Sequence, residues 1–485
     1  MMVPFGEWMP DQPGATGAIT DAKNVVPQAN GYGPLPQVEE WSDSASENLN
    51  AVASARSPTG VLKLFAGGAT KLFSLDPTDK SMDNVSKTGN YTTPDRQRWR
   101  FAQFGSRVIA ANGGARVQGF LLDSSTLFAD LAADAPKSRY VTVVRDFVVC
   151  GYDNGSTIYP NRVQWSALGD ETNWTPAATT QADYQDIPDA GDVRGLTGGE
   201  YGLVFMERGI VRMSYAGSPL VFQFDTIATG QGCLEPNSII KYAGISYFLS
   251  EDGFYVCDGQ SIKSISTEKV DRWFFNDLDI ARTYSMSVAV EPLRNLIVWS
   301  YPSVDSVQKV IIYNFNLNKW SYGEANIDYI ASSTAIASAT TAGYTLEGLD
   351  IFGSIDSLPA SLDSYTWTGG QLLMTGVKGA KIVAFSGDPA TGVIGTPDLS
   401  INGMPSVCTL VRPVVDNGSG SIQILSRKLL STFPQYPTTT YTANSDNRIS
   451  VRSGGNYHRI ALTPTGSDWK TAIGVDVTLV PQGVR

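Results

Sequence analysis

The chain has a single histidine, His458, and only four cysteines, Cys150, Cys233, Cys257 and Cys408, among its 485 residues. The cysteines lie far apart with no Cys-x-x-Cys pair, so a zinc site lacks its usual ligand spacing and reduced, mostly buried thiols are expected. A Ser-His or Cys-His pair could use only His458, whose setting NYHRIAL reads as a strand. There is no Gly-x-Ser-x-Gly elbow, and the AGG and NGG runs sit in hairpins rather than at the strand-to-helix junctions that cradle phosphate. Long apolar runs are also missing: no window approaches about eighteen apolar residues, so neither a transmembrane helix nor membrane insertion is expected. The opening MMVPFGEWMPDQPG has no basic start and no apolar run, which reads as synthesis in a cytoplasm without a secretory signal. Positive charge is scarce as well. Charged residues make up 17% and the formal net charge is −11. A protein that grips nucleic acid by neutralising phosphates needs a basic surface. An acidic one suits plain solubility, or a wall past which a polyanion slides without sticking.

What is present favours strands and turns. Hydrophobic residues are 42%, aromatics 10%, and Gly (47) and Tyr (21) are plentiful. The length is too great for one simple core. Residues 1–58 carry Pro4, Pro10, Pro13, Pro27, Pro34 and Pro36 with few apolar clusters, and are expected to form an extended arm rather than a folded unit. Phe5, Trp8 and Trp41 would dock that arm on a neighbour.

From residue 61 short apolar strands are bounded by Gly, Asp and Asn. VLKLFAGGATKLFSLD (61–76) reads as a hairpin, as do RFAQFGSRVIAANGG (100–114) and RYVTVVRDFVVCGYD (139–153). EYGLVFMERGIVRMSYAG (200–217), GISYFLSEDGFYVCDG (244–259) and the strands of 294–323 follow the same logic, with a further pair near 371–386. Repetition at roughly 35–60 residues predicts a β-propeller over 59–395, with a series of β-sandwiches as the alternative. Beyond Pro397 the texture becomes that of a compact β-sandwich, placed at 396–485. The expected fold class is all-β: a β-propeller, then a small C-terminal β-sandwich, with an extended N-terminal arm.

Candidate chemistry is sparse. Glycoside hydrolysis needs two carboxylates in fixed opposition, and none stands in a recognisable setting. SEDGFYV and SALGDETNW depart from the Ser-x-Asp-x-Gly-x-x-Trp turn of sialidase-type propellers and read as structural turns. In DYQDIPDAGD, Asp183, Asp186, Asp189 and Asp192 recur every third residue. An EF-hand-like loop needs other spacing and a closing Glu, so a solvated acidic loop, a candidate for lining a channel, is expected. In RVQWSALGDETNWTP (162–176), Trp165 and Trp174 flank a polar turn; each either pins the turn to its sheet or serves as an interface aromatic. No catalytic, cofactor-binding or metal-ligating residue is assigned, no cofactor is expected, and the chain does not read as an enzyme.

RVQWSALGDETNW, GLVFMERGIVRMSYAGSPLVFQFDTI and GCLEPNSIIKYAGISYFLSEDGFYVCDG resemble the tail hub or nozzle proteins of tailed, mainly short-tailed, double-stranded DNA bacteriophages. The closing VRSGGNYHRIALTPTGSDWKTAIGVDVTLVPQGVR is similar to their C-terminal domain. The resemblance runs from about residue 60 to the end and is most specific over 200–259; the N-terminal match is weak. It implies a virion structural protein made in the bacterial host. Such a subunit joins a homo-oligomeric ring, usually a hexamer, below the portal and adaptor ring. The ring extends the DNA channel without specific DNA binding, retains the packaged genome and attaches tail fibres or spikes. The alternative is a carbohydrate-binding or carbohydrate-degrading propeller on the tail, with Trp165, Trp174 and Trp320 stacking on sugar rings.

Overall fold

The hairpins close where the turn residues allow. Phe104 pairs with Arg107 across Gly105 and Ser106, and Val144 pairs with Phe147 across Arg145 and Asp146. At the Asp252-Gly253 turn glycine is a packing requirement, because a Cβ on Gly253 would sit 2.5 Å from Asp271 Oδ1. The computed structural model describes residues 1–12, 17–58, 60, 62–76, 79–334, 372–430 and 437–482.

Each hairpin grows into a four-stranded antiparallel sheet, a blade. Blade one is Leu49–Arg56, Leu62–Gly68, Leu72–Leu75 and Met82–Asn84; blade two is Arg100–Phe104, Arg107–Ala111, Gln118–Leu121 and Ala129–Asp130. Blade three is Ser138–Val144, Phe147–Asn154, Ile158–Trp165 and Asp183–Asp186; blade four is Val193–Thr197, Gly202–Met206, Gly209–Gly217 and Val221–Thr229. Blade five is Ile240–Tyr242, Ile245–Leu249, Phe254–Cys257 and Ile262–Ser264; blade six is Ser287–Glu291, Leu296–Pro302, Gln308–Asn314 and Lys319–Glu324. Blade seven has Tyr329–Thr334, Leu372–Lys378 and Lys381–Pro389, and takes its outer strand, Pro36–Glu40, from near the N-terminus. Blade one follows at Leu49, so the closing strand joins the last blade to the first.

The packing explains why the middle strands read as unbroken apolar runs. A blade is covered on both faces, so alternate side chains serve different neighbours. Val108 and Ala110 pack between blades one and two, whereas Ile109 and Ala111 pack between blades two and three. Val204 and Met206 likewise face blade three, and Leu203 and Phe205 face blade five. The remaining clusters lie between blades five and six, six and seven, and seven and one, so the ring is closed by apolar burial. Burial of one such side chain contributes about 1.5–3 kcal/mol.

The arm expected at 1–58 is instead woven into the fold. Met2–Pro4 pairs with Thr471–Pro481, and Val25–Gln28 and Gly31–Pro34 form a hairpin beside the same strand. Asp21–Lys23 lies between blade six's outer strand and Val393–Gly395, and thereby joins sheet six to the C-terminal sheet. Pro4, Pro27, Pro34 and Pro36 lie in extended strands, but Pro4 and Pro36 pair with Gly474 and Pro389, hundreds of residues away, and Pro13 lies outside the described residues. The boundary at 58/59 falls after blade one's first strand, Leu49–Arg56.

The C-terminal unit is a β-sandwich. One sheet runs Val25–Gln28, Gly31–Pro34, Thr471–Pro481, Ser406–Asp416 and Ile449–Gly455. The other continues sheet six through Val393–Gly395, Tyr457–Thr465, Ser419–Arg427 and Tyr441–Thr442. Val411, Ile449 and Val475 from the first pack with Ile422, Ile460 and Leu462 from the second, in one cluster with Trp299 and Trp320 of blade six.

Candidate functional site

The two indoles of RVQWSALGDETNWTP point into opposite blade interfaces. Trp165 ends the third strand of blade three, donates Nε1–H to the Gln181 carbonyl at 2.8 Å, and meets Phe222 of blade four edge-on at 5.1 Å. Trp174 lies between blades two and three, and its Nε1–H reaches the Glu171 carbonyl at 2.9 Å. Both are buried, so the stretch is an anchor. Trp320 is fully buried as well, and none of the three offers a face to a sugar ring.

Trp8 also turns inward rather than towards a neighbouring subunit. It is buried, stacks on Tyr322 at 5.0 Å and meets Trp273 edge-on at 4.9 Å. Trp41 is half-buried against the core between blades seven and one.

The acidic run follows the outer edge of blade three. Asp183 and Tyr184 are exposed on the edge strand, and Asp189 is exposed in the loop beyond it. Asp186 accepts two bonds from Arg162, 2.7 Å from Nε and 3.0 Å from Nη2. That guanidinium lies against the rings of Tyr159 (3.6 Å) and Tyr184 (4.0 Å). Asp192 is partly buried and its carbonyl accepts the Glu207 N–H. The four carboxylates do not converge, and among the described residues no group of three or more His, Cys, Asp or Glu could hold a metal ion.

The inner strands of all seven blades surround a central channel of about 500 Å³. Val52, Phe101, Val141, Leu196, Ile240, Val288 and Ala331 contribute one wall each. Where the inner strands begin, the channel meets a second cavity of about 270 Å³ bordered by Arg96, Arg98, Arg100, Arg139 and Arg194, with Glu235 as the one carboxylate. Arg100 donates to Asn237 Oδ1, and Asn237 Nδ2 donates to Glu235 Oε1 at 2.9 Å. Burial raises the Glu235 pKa, and its hydrogen bond from Asn237 and the nearby Arg100, Arg98 and Arg194 oppose that rise. Burial lowers that of Arg98.

Sequence reasoning passed over these arginines. Each reads alone as an ordinary surface charge in RWRFAQ, SRYVTV and DVRGLT. The legible signal was positional: Arg100, Arg139 and Arg194 each fall at the first or second residue of the inner strand in three successive blades.

His458 is fully buried in the sandwich, with Ser426 Oγ 2.7 Å from Nδ1 and Ser406 Oγ 3.0 Å from Nε2. Ser453 donates to Ser426, so both ring nitrogens of His458 lie in a hydroxyl network within the sandwich. Burial holds its pKa below the ordinary value. All four cysteines are unpaired and buried. No helix among the described residues is long and apolar enough to cross a membrane.

No family model and no curated protein matches the chain. Solved structures similar to it include the Pan2 WD40 domain of Neurospora crassa, at 7% identity over 74% of this chain and 97% of that one, with a TM-score of 0.40. A chain of the Mitotic Checkpoint Complex matches at 10% identity over 64% and 91%, with a TM-score of 0.38. The computationally designed Ika8 protein matches at 8% over 73% and 99%, with a TM-score of 0.37. The propeller assignment stands on the seven sheets and their closure.

Proposed function

We propose that the protein is a tail hub or nozzle subunit of a tailed, double-stranded DNA bacteriophage, of the mainly short-tailed kind, acting through assembly rather than catalysis. Copies associate side by side into a ring, expected to be a hexamer, below the portal and adaptor. The ring extends the DNA conduit, retains the packaged genome and carries fibres or spikes. The stretches that resemble this family occupy blades three to five and the core strands of the sandwich.

The observation that carries the reading is the outer edge of blade three. An unpaired edge strand presents backbone donors and acceptors, and Asp183 and Asp189 make this one acidic. Beside it the Tyr159, Arg162 and Tyr184 stack offers residue types enriched at interface hot spots. In this proposal the conduit lies between subunits rather than in the central channel of about 500 Å³. Negative charge facing that conduit repels phosphate and lets DNA pass.

Immunogold labelling of purified phage with antibody against this chain is the direct test. Gold below the capsid vertex is the expected result, with rings in electron micrographs of the particles' tails. Particles without the antigen, or an assembled ring with a neutral or basic lumen, would overturn the reading.

A further inference from the structure

We propose that the arginine-lined cavity at the channel mouth is a binding site for a small doubly charged oxyanion of the phosphate class. The inference is independent of ring assembly, since every contributing residue belongs to one chain.

Five arginines and a single carboxylate line this cavity in a molecule whose formal net charge is −11. No ion pair within 4 Å joins Glu235 to any of them among the described residues. Among the described residues only two of the five have a carboxylate within 4 Å: Arg96 lies 3.7 Å from Asp95, and Arg194 lies 3.7 Å from Glu207. Three enclosed nitrogens, Arg98 Nη1, Arg139 Nε and Arg194 Nε, have no hydrogen-bond acceptor. A buried donor left unmet costs roughly 1–3 kcal/mol, more when charged. The fold nevertheless holds these side chains in place by stacking. Arg139 lies 3.5 Å from the centre of the Tyr152 ring, Arg98 lies 5.0 Å from that of Tyr329, and Arg96 lies 5.1 Å from that of Tyr284.

The size and the donor chemistry select the ligand. Water takes about 30 Å³ per molecule in the liquid, so about 270 Å³ admits one tetrahedral oxyanion with several waters. Planar guanidinium forks match phosphate oxygens in pairs. Two ligand charges offset more of the cluster's repulsion than the single charge of a carboxylate. Inorganic phosphate and the terminal phosphate of a small ester share this chemistry.

Calorimetric titration of the full chain at constant ionic strength, balanced with chloride, tests the site. Inorganic phosphate should bind with one-to-one stoichiometry, and Arg98→Gln and Arg139→Gln should each weaken it by about tenfold or more. Arg96→Gln, on the exposed rim, should weaken it by less and leaves the packed residues in place. Glu235→Gln keeps the acceptor for Asn237 but removes the opposing charge, and should tighten binding. Arg162→Gln, on blade three's outer edge, should leave the affinity unchanged. Glycerol phosphate separates the two sources: tighter binding than inorganic phosphate identifies an ester ligand, and weaker binding identifies the free ion. The proposal is overturned if phosphate produces no more heat than chloride, if Arg96→Gln and Glu235→Gln both leave the affinity unaltered, or if a ten-residue oligothymidylate binds while phosphate does not.

Discussion

Blades one to five are each built from one continuous stretch of chain and stand alone as four-stranded sheets, whereas blade six, also continuous, is extended by Asp21–Lys23 and blade seven takes its fourth strand from Pro36–Glu40. Blade seven is completed by Pro36–Glu40, and sheet six reaches the sandwich only through Asp21–Lys23. Asp11 adds a second tie, accepting the N–H groups of Arg272 (2.7 Å) and Trp273 (2.8 Å) at the start of the helix Asp271–Asp277. The first five blades gain stability from neighbours along the chain. Blade seven exchanges one local strand, and blade six adds a distant one, for contacts that tie both ends of the chain to the ring. A propeller closed in this way cannot open at its seam without breaking a sheet.

Deleting residues 1–48 should have the largest effect, because it removes every strand that serves blades six and seven from outside. The expected result is loss of the cooperative thermal transition in calorimetry. A truncated chain that melts like the intact one would show that the seam is closed by side-chain packing alone.

Trp8→Ala and Trp165→Ala come next, each with an expected cost of about 3–5 kcal/mol in denaturant unfolding. Their kinetic signatures should separate the two regions. Hydrogen exchange in Trp8→Ala should rise in blade six and the sandwich, and in Trp165→Ala it should rise at the interface of blades three and four. Uniform acceleration in both would mean that the molecule opens as one unit.

The sandwich and the helix after blade five should also respond oppositely to pH. The unfolded chain protonates His458 at its ordinary value of 6.5, above the depressed folded value, so stability is lost as pH falls through this window. Burial pushes the Asp271 carboxyl from 3.8 up to about 6, so the folded state holds more protons between those values and stability is lost as pH rises across them. His458→Gln should therefore flatten the loss of stability below pH 6.5, whereas Asp271→Asn should raise the melting temperature at pH 7 and above. Melting curves of the variants that run parallel to the parent's across this range would remove both assignments.

The smallest effect belongs to the exposed pair of Lys23 and Glu324, 2.7 Å apart between the N-terminal strand and blade six. Lys23→Ala should cost less than about 1 kcal/mol in the same denaturant assay. A larger loss would make this seam electrostatic rather than hydrogen-bonded.

The hairpin turns at Gly105-Ser106, Arg145-Asp146 and Asp252-Gly253 were readable because a turn and the strands flanking it are neighbours in sequence. For Trp165 and Trp174 the sequence left an anchor and an interface role open, and burial between neighbouring blades decided for the anchor. Trp8 misled for the opposite reason: its partners are Trp273 and Tyr322, and nothing beside it in the chain announces them. The acidic run at 183–192 was visible as a run, but Asp186 proved to be held by Arg162 on the adjacent strand.

By itself, then, the sequence determined the all-β class, the repeated hairpins, the C-terminal sandwich strands and the sign of the overall charge, all of which depend on nearest-neighbour patterning. Only the tertiary structure decided that the proline-rich start closes the ring, that seven blades surround one channel, and that arginines from separate blades meet at its mouth. Those outcomes depend on apolar burial between segments distant in the chain, and burial of that kind leaves each segment's own pattern unchanged.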